Sequence, residues 1–392
     1  MNTREKILDQ TDFEAPKWLV IASLIWLSLL GYLLPNIQPM FLGALSVSYN
    51  FDATQLGFLG GAELGGACLA SVCALYWFPR VNLRRVAFFA LLVAVLGNLL
   101  TGWITNFSYL IILRFFTSFF GAGMLNALVL GLVGFLKNPE RVLAIAIICQ
   151  VFSISLAMVG IPLLLERWEM KGVAICLTLI FMTGFWALKF LFRGKSLILG
   201  NSSLDGDSVT RILPLVLLVG LIVFSVGVGS IWAFLERIGH VSGFSMADTG
   251  QALALGSFIG ASGAFLAAVI AQRIGNLIPI LTGLFGLLLV CFMLVNTNSW
   301  MNYTITAVLL NFFWNLTLPY LLGSVASSDR SGRLMVLVPA AQGGGYALGP
   351  IISGLIIVGN NYTTSAVVAA VAFVISLVII VPIVTKLSYG NK

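Results

Sequence analysis

Residues Ile111–Leu130 read IILRFFTSFFGAGMLNALVL, apolar throughout except for Arg114 and a few small hydroxyl or amide side chains. A helix of about 20 such residues crosses the hydrocarbon core of a bilayer, so the stretch is long enough to span one. Arg114 lies inside it. An arginine at membrane depth costs roughly 2.5–3.5 kcal/mol on insertion scales, so it faces a protein interior or a watery cavity and has a partner.

Composition places the whole chain in the same setting. Of 392 residues, 59% are hydrophobic and 9% charged, with mean hydropathy +1.04, whereas water-soluble domains carry about 25% charged residues. This is the composition of a multi-pass membrane protein. The net charge of +7 comes from basic residues scattered at the ends of apolar runs, a pattern of membrane topology with no nucleic-acid partner implied. Cys68, Cys73, Cys149, Cys176 and Cys291 all lie within apolar runs, without metal-ligand spacing. They read as small buried residues. With His240 as the single histidine, no metal site, cofactor or histidine-based triad is expected.

Twelve apolar runs reach spanning length, at about 18–45, 54–78, 86–104, 108–136, 142–165, 172–192, 212–238, 248–271, 277–296, 301–325, 334–358 and 362–385. The first contains Pro35 and Pro39, from which a kink or an unwound outer end is expected. Residues 1–17 are polar and of mixed charge, a tail without the character of a signal peptide. Lys/Arg bias orients the helices. With the N-terminus inside, 17 of the 21 lysines and arginines fall in inner loops and tails, and only Arg167, Lys171 and Arg237 in outer ones. Both termini are therefore expected in the cytoplasm, of a plasma membrane such as the bacterial inner membrane.

The longest polar break, GKSLILGNSSLDGDS at Gly194–Ser208, falls at mid-chain. It divides the sequence into an inner tail at 1–17, a six-helix bundle at 18–192, a cytoplasmic linker at 193–211, a second bundle at 212–385 and a tail at 386–392. The halves retain traces of one another. A shift of 197 aligns Glu63-Leu64-Gly65-Gly66 with Gly260-Ala261-Ser262-Gly263, and Leu113-Arg114-Phe115-Phe116 with Leu310-Asn311-Phe312-Phe313. A shift of 192 aligns Arg141…Gln150 with Arg333…Gln342. The shared order reads as a parallel internal repeat of the kind found in transporters.

Two six-helix halves with a hydrophilic linker resemble the major facilitator superfamily, over essentially the whole chain. The loop after the second helix keeps the basic end of the family's motif in Arg80-Val81-Asn82-Leu83-Arg84-Arg85, without its acid. Its counterpart, Gln272-Arg273-Ile274-Gly275, keeps Arg-x-Gly. Arg114 followed by Gly121 and Gly123 is similar to the family's fourth helix, although Ser118 stands where a glycine is usual. The fifth helix carries only Gly160-Ile161-Pro162, and a pattern related to the antiporter motif, Gly345-x3-Gly349-Pro350-x3-Gly354, lies on the eleventh. The resemblance implies an all-α integral membrane fold of twelve helices in two pseudo-symmetric bundles. It also implies secondary transport by alternating access, with no enzymatic activity.

Few ionisable groups lie inside the helices. Glu63 is about nine residues into the second and Arg114 about six into the fourth, so at 1.5 Å per residue both sit roughly 9–14 Å below the outer surface. An ion pair is geometrically possible. It is either a static tie between helices or a proton-coupling pair in which Glu63 loses and regains a proton. Candidate substrate-binding residues are Gln38, Arg114, Ser118, Gln150, Trp232, Asn311, Asn315, Gln342 and Tyr346, polar or aromatic groups within spans. Each has a packing alternative, such as helix–helix hydrogen bonding. Glu236, one turn from Trp232, is a candidate outer gate or a solvated charge beside an interfacial aromatic.

The expectation is a monomeric proton-coupled transporter of a small amphipathic or aromatic organic solute, anionic if Arg114 is free to meet it. Uptake is favoured by the missing fifth-helix motif. Proton-driven export of drugs or metabolites is the alternative. A membrane enzyme would need clustered His, Asp or Cys at the lipid interface, and a receptor or scaffold would not need Glu63 and Arg114 at depth.

Overall fold

The computed structural model describes residues 17–134, 136, 139–191, 212–270, 275–328 and 337–389. Every regular element among them is helical. Residues 1–16 of the first tail, the whole of the central linker at 193–211, and basic loop residues including Lys137, Arg273, Arg330 and Arg333 lie outside the described residues.

In chain order the helices are α1 (Lys17–Tyr49), α2 (Ala53–Trp77), α3 (Leu83–Thr101) and α4 (Phe107–Val133). A helical stretch, Pro139–Ala187, then breaks at Glu169 (φ 54°, ψ −158°), and its two parts are α5 and α6. There follow α7 (Ile212–Val241), α8 (Met246–Ile270), α9 (Leu277–Val295), α10 (Trp300–Ser328), α11 (Val338–Ile356) and α12 (Thr364–Tyr389). Ten helices among the described residues are long and apolar enough to cross a membrane, the one at Arg141–Phe190 running through the break at Glu169. Dividing that helix at the break makes eleven, and α11, the twelfth helix, is not among those that meet the length and hydropathy needed to span, so the expected count of twelve spans is matched only in part.

Local signals account for the helix starts and stops. α1 stays helical past Pro35 and Pro39, so the expected unwound end is not seen. It stops at Asn50, whose φ of 56° uses the left-handed conformation that asparagine tolerates. Asp52 and Gln55 then cap α2 reciprocally: Gln55 N donates to Asp52 Oδ1 at 2.8 Å and Asp52 N to Gln55 Oε1 at 3.1 Å. Ser245 and Asp248 form the same box at the start of α8.

The chain forms two compact units. The first comprises Met1–Ile37, Ala62–Ile154 and Leu164–Ser202, and the second Gln38–Gly61, Ser155–Leu163 and Ser203–Lys392. The second unit thus includes the α1–α2 turn and a short piece of α5. There the Thr54 hydroxyl donates to the Gly354 carbonyl at 2.9 Å. A side chain on Gly57 would strike the Pro350 carbonyl, and one on Gly354 the Ala53 carbonyl. Gly345 and Gly349 of the same glycine pattern admit the α7 backbone in the same way.

The internal repeat is visible as matching contacts inside each unit. In the first, a Cβ on Gly66 would meet the Phe115 carbonyl; in the second, one on Gly263 would meet the Phe312 carbonyl. Both partners obey the shift of 197. Likewise Gly97 of α3 admits the Thr117 hydroxyl, and Gly283 of α9 that of Thr317. Glycine is required because helix backbones approach closely there, a common device where lipid offers no hydrophobic drive for association.

Gly66→Val and Gly263→Val should therefore each destabilise the protein by at least the roughly 1–3 kcal/mol of an overpacked core. Thermal unfolding in detergent checks this, and an unchanged melting temperature for either would contradict it.

Candidate functional site

Arg114 is fully buried, at 0% exposure. Its guanidinium is met by side chains of two other helices, α2 and α3. Nη2 donates to Glu63 Oε1 at 2.5 Å and Nε to Glu63 Oε2 at 3.3 Å, so one carboxylate takes both arms of the fork. Nη1 donates to Asn98 Oδ1 at 2.9 Å and Thr101 Oγ1 at 3.3 Å. The structure thus brings Arg114 to Glu63 and adds two partners from α3. Asn98 and Thr101 escaped the sequence reading. Their i,i+3 spacing places two polar groups on one face of an apolar helix, and that was the available signal.

The α4 backbone widens beside this network. Thr117–Gly123 forms π-helical turns. Ser118 is buried and donates to the Glu63 carbonyl at 2.6 Å. Gly121 packs on Ala94 and Gly123 on Ala67. The stripe 114–118–121–125 is therefore a packing face.

Other candidates in the first unit and near the turn also have protein partners. Gln150 Nε2 donates to Ser28 Oγ at 3.1 Å, linking α5 to α1. In the second unit, Gln38 Nε2 donates to the Gly60 carbonyl at 3.1 Å, and Gln38 is 3% exposed. Asn311 Nδ2 donates to the Ala307 carbonyl at 3.0 Å and Asn315 Nδ2 to the Asn311 carbonyl at 2.8 Å, each within α10. Asn311 fills the space left by Gly260, so the position matching Arg114 touches the position matching Glu63.

A second cluster gathers aromatic and amide groups on α7, α10 and α11. Trp314 Nε1 donates to the Tyr346 hydroxyl at 2.9 Å, and Gln342 Nε2 donates to it at 3.0 Å. The Trp314 ring lies 6.0 Å from Trp232 and 5.7 Å from Tyr346, between centroids. Trp314, Asn315, Gln342 and Tyr346 are half-buried, while Trp232 is buried. Flat apolar faces with amide and hydroxyl groups at their edges are the usual lining of small-molecule sites. Trp314 is not among the candidates read from the sequence; its i,i+3 spacing from Asn311 on an apolar helix was the available signal.

Glu236 is at 0% exposure, and neither carboxylate oxygen has a hydrogen-bond partner. The nearest charge is Arg237, with Nη1 3.9 Å from Oε2. Among the described residues, no group of three or more His, Cys, Asp or Glu side chains could hold a metal ion.

The sequence profile of the Major Facilitator Superfamily matches residues 21–328. The chain belongs to this superfamily of membrane transporters and is not an enzyme. No curated relative matches the sequence. Among solved structures, the nucleoside transporter NupG is similar with a TM-score of 0.72 and 14% identity, over 94% of this chain and 99% of that one. The D-xylose-proton symporter gives 0.70 and 13%, over 92% and 97%. A bacterial homologue of the human lysosomal transporter Spinster, in an inward-facing and unoccupied conformation, gives 0.71 and 13%, over 95% and 96%.

Removing one partner of a buried ion pair costs about 3–5 kcal/mol, because the other charge is left without compensation. Arg114→Ala should lose that much, measured by unfolding in detergent. The double variant Glu63→Leu/Arg114→Met, apolar and of similar volume, should be more stable than either single change. Additive losses would show that the two side chains do not act as a pair.

Proposed function

We propose that the chain is a proton-coupled secondary transporter that takes up a small, uncharged, amphipathic or aromatic organic solute by alternating access. It would sit in the plasma membrane, the inner membrane in a bacterium, as a monomer with both termini cytoplasmic. The observation that carries the reading is the half-open cluster of Trp314, Gln342, Tyr346 and Asn315 beside Trp232. It offers aromatic faces for stacking and amide and hydroxyl edges for hydrogen bonding, with no charge of its own. Arg114 is occupied by Glu63, Asn98 and Thr101, which removes the reason to favour an anion.

The Lys/Arg distribution supports the orientation. The names of the similar structures, a nucleoside transporter and a sugar–proton symporter, support uptake of a neutral ring compound with protons, by likeness of fold alone. Glu63 with Arg114 is the proposed coupling pair, since proton transfer to Glu63 would release its fork on Arg114 and loosen α2 from α4.

Proteoliposomes with an inward-directed proton gradient test this against a panel of nucleosides, sugars and neutral aromatic metabolites. Gradient-stimulated uptake of one class is expected. Trp314→Ala and Gln342→Ala should each raise its KM by roughly ten-fold, equivalent to about 1.4 kcal/mol. Glu63→Gln should remove the stimulation by the gradient while exchange of substrate continues. Stimulated export in place of uptake would favour proton-driven efflux, and gradient-driven flux unchanged in Glu63→Gln would sink the coupling role.

A further inference from the structure

The second unit holds a buried acid that the transport reading does not use. Glu236 lies on α7, and a side chain on Gly43 would overlap its carboxyl group, so the α1 backbone covers it directly. The covering segment is the same α1–α2 region that packs on α11 through Thr54, Gly57 and Gly354. With α1 in place Glu236 has no exposed surface and neither oxygen receives a hydrogen bond. An ionised carboxylate gives up several kcal/mol of hydration on such burial unless donors replace the water.

The surrounding groups supply none. On α7 itself, Arg237 lies 3.9 Å away, beyond hydrogen-bond reach, with its guanidinium carbon 5.4 Å from the centre of the Tyr362 ring. His240 stands one turn further on. From α10, Tyr303 is committed to the Leu235 carbonyl at 2.7 Å. From α8, Asp248 is taken up in the cap with Ser245. From α11, Tyr346 is bonded to Trp314 and Gln342 two turns back, and Lys386 of α12 is near the far end of that helix. α1 contributes Gly43 and, six residues on, Tyr49, whose ring packs on Phe51 at 5.7 Å between centroids.

We infer that Glu236 is a proton-binding site of the outer gate, and that the α1–α2 segment closes over α7 only when its carboxyl group is neutral. The inference rests on the alternating-access reading and on the orientation proposed above, which puts this end of α7 outside. When the segment lifts, Glu236 meets outer water and ionises with Arg237 beside it. When it returns, one proton from the outer solution bonds to a carboxylate oxygen, and the neutral acid needs no counter-charge. Closure of the outer gate is thereby favoured by external acidity. Glu63 serves a separate purpose in the first unit.

The test places spin labels at the exposed positions 47 and 358, as V47C/V358C in a background with the five native cysteines replaced, in lipid nanodiscs. Lowering the pH from about 8 to about 4, through the ordinary glutamate value of about 4.3, should enlarge the short-distance population at least about three-fold. Glu236→Gln should hold the short distance at both pH values. A pH response retained in Glu236→Gln overturns the inference. So does closure driven by added sodium at constant pH, which would make the site a metal-cation site.

Should labelling or substitution disturb the gate, infrared difference spectra of the unlabelled protein give an independent reading. A protonated-carboxyl band present at low pH must vanish in Glu236→Gln, and its absence from the parent overturns the inference. Substrate exchange in proteoliposomes separates the two ideas. A Glu236-dependent distance change in a protein that exchanges no tested solute upholds the gate and rejects the proposed substrate class. Exchange with no such change rejects the gate alone.

Discussion

A guanidinium held where no water replaces lost hydrogen bonds must find every partner in protein. Arg114 meets this constraint by drawing Glu63, Asn98 and Thr101 from α2 and α3 onto α4. The close packing around it follows. Gly66 and Gly123 let α2 and α4 approach, while Gly97 and Gly121 let α3 and α4 do so. Ser118 is turned onto the Glu63 carbonyl. The wide turns at Thr117–Gly123 sit where these demands meet, in keeping with the tendency of π-helical turns to occur at special sites.

The second unit repeats the geometry without the charge. Gly263 faces Phe312 as Gly66 faces Phe115, and Gly260 touches Asn311 as Glu63 holds Arg114. One helix-pair contact has thus been kept with two chemistries. The charged version ties its helices with directional bonds. The uncharged one needs only shape, and leaves the open polar groups of α10 and α11 to Trp314, Gln342 and Tyr346.

Two buried acids show how much the partner matters. Glu63 and Glu236 are both almost without exposed surface. The first receives two hydrogen bonds from a guanidinium. The second receives none and lies against the bare backbone at Gly43. A carboxyl group of the second kind is compatible with burial chiefly as the neutral acid, which is why proton binding is assigned to it at the gate and coupling is proposed at the pair.

The membrane class and the helical architecture were legible in the sequence because apolar runs of spanning length admit few other structures. The parallel repeat was legible too, because contacts that require glycine resist change even when neighbouring side chains diverge, as at Gly66 and Gly263. Matching depths could bring Glu63 and Arg114 together on paper, since both helices run the same way from the same surface. Depth says nothing of azimuth, however. Only tertiary structure decided that Asn98 and Thr101 complete the network, that Ser118 and Asn311 face neighbouring helices, and that Trp314 joins Gln342 and Tyr346. It also decided that Glu236, which could be read as a solvated charge at a helix end, is covered by α1. Each of these depends on which face of a helix meets which neighbour, and in an almost uniformly apolar chain hydrophobic periodicity no longer distinguishes the faces.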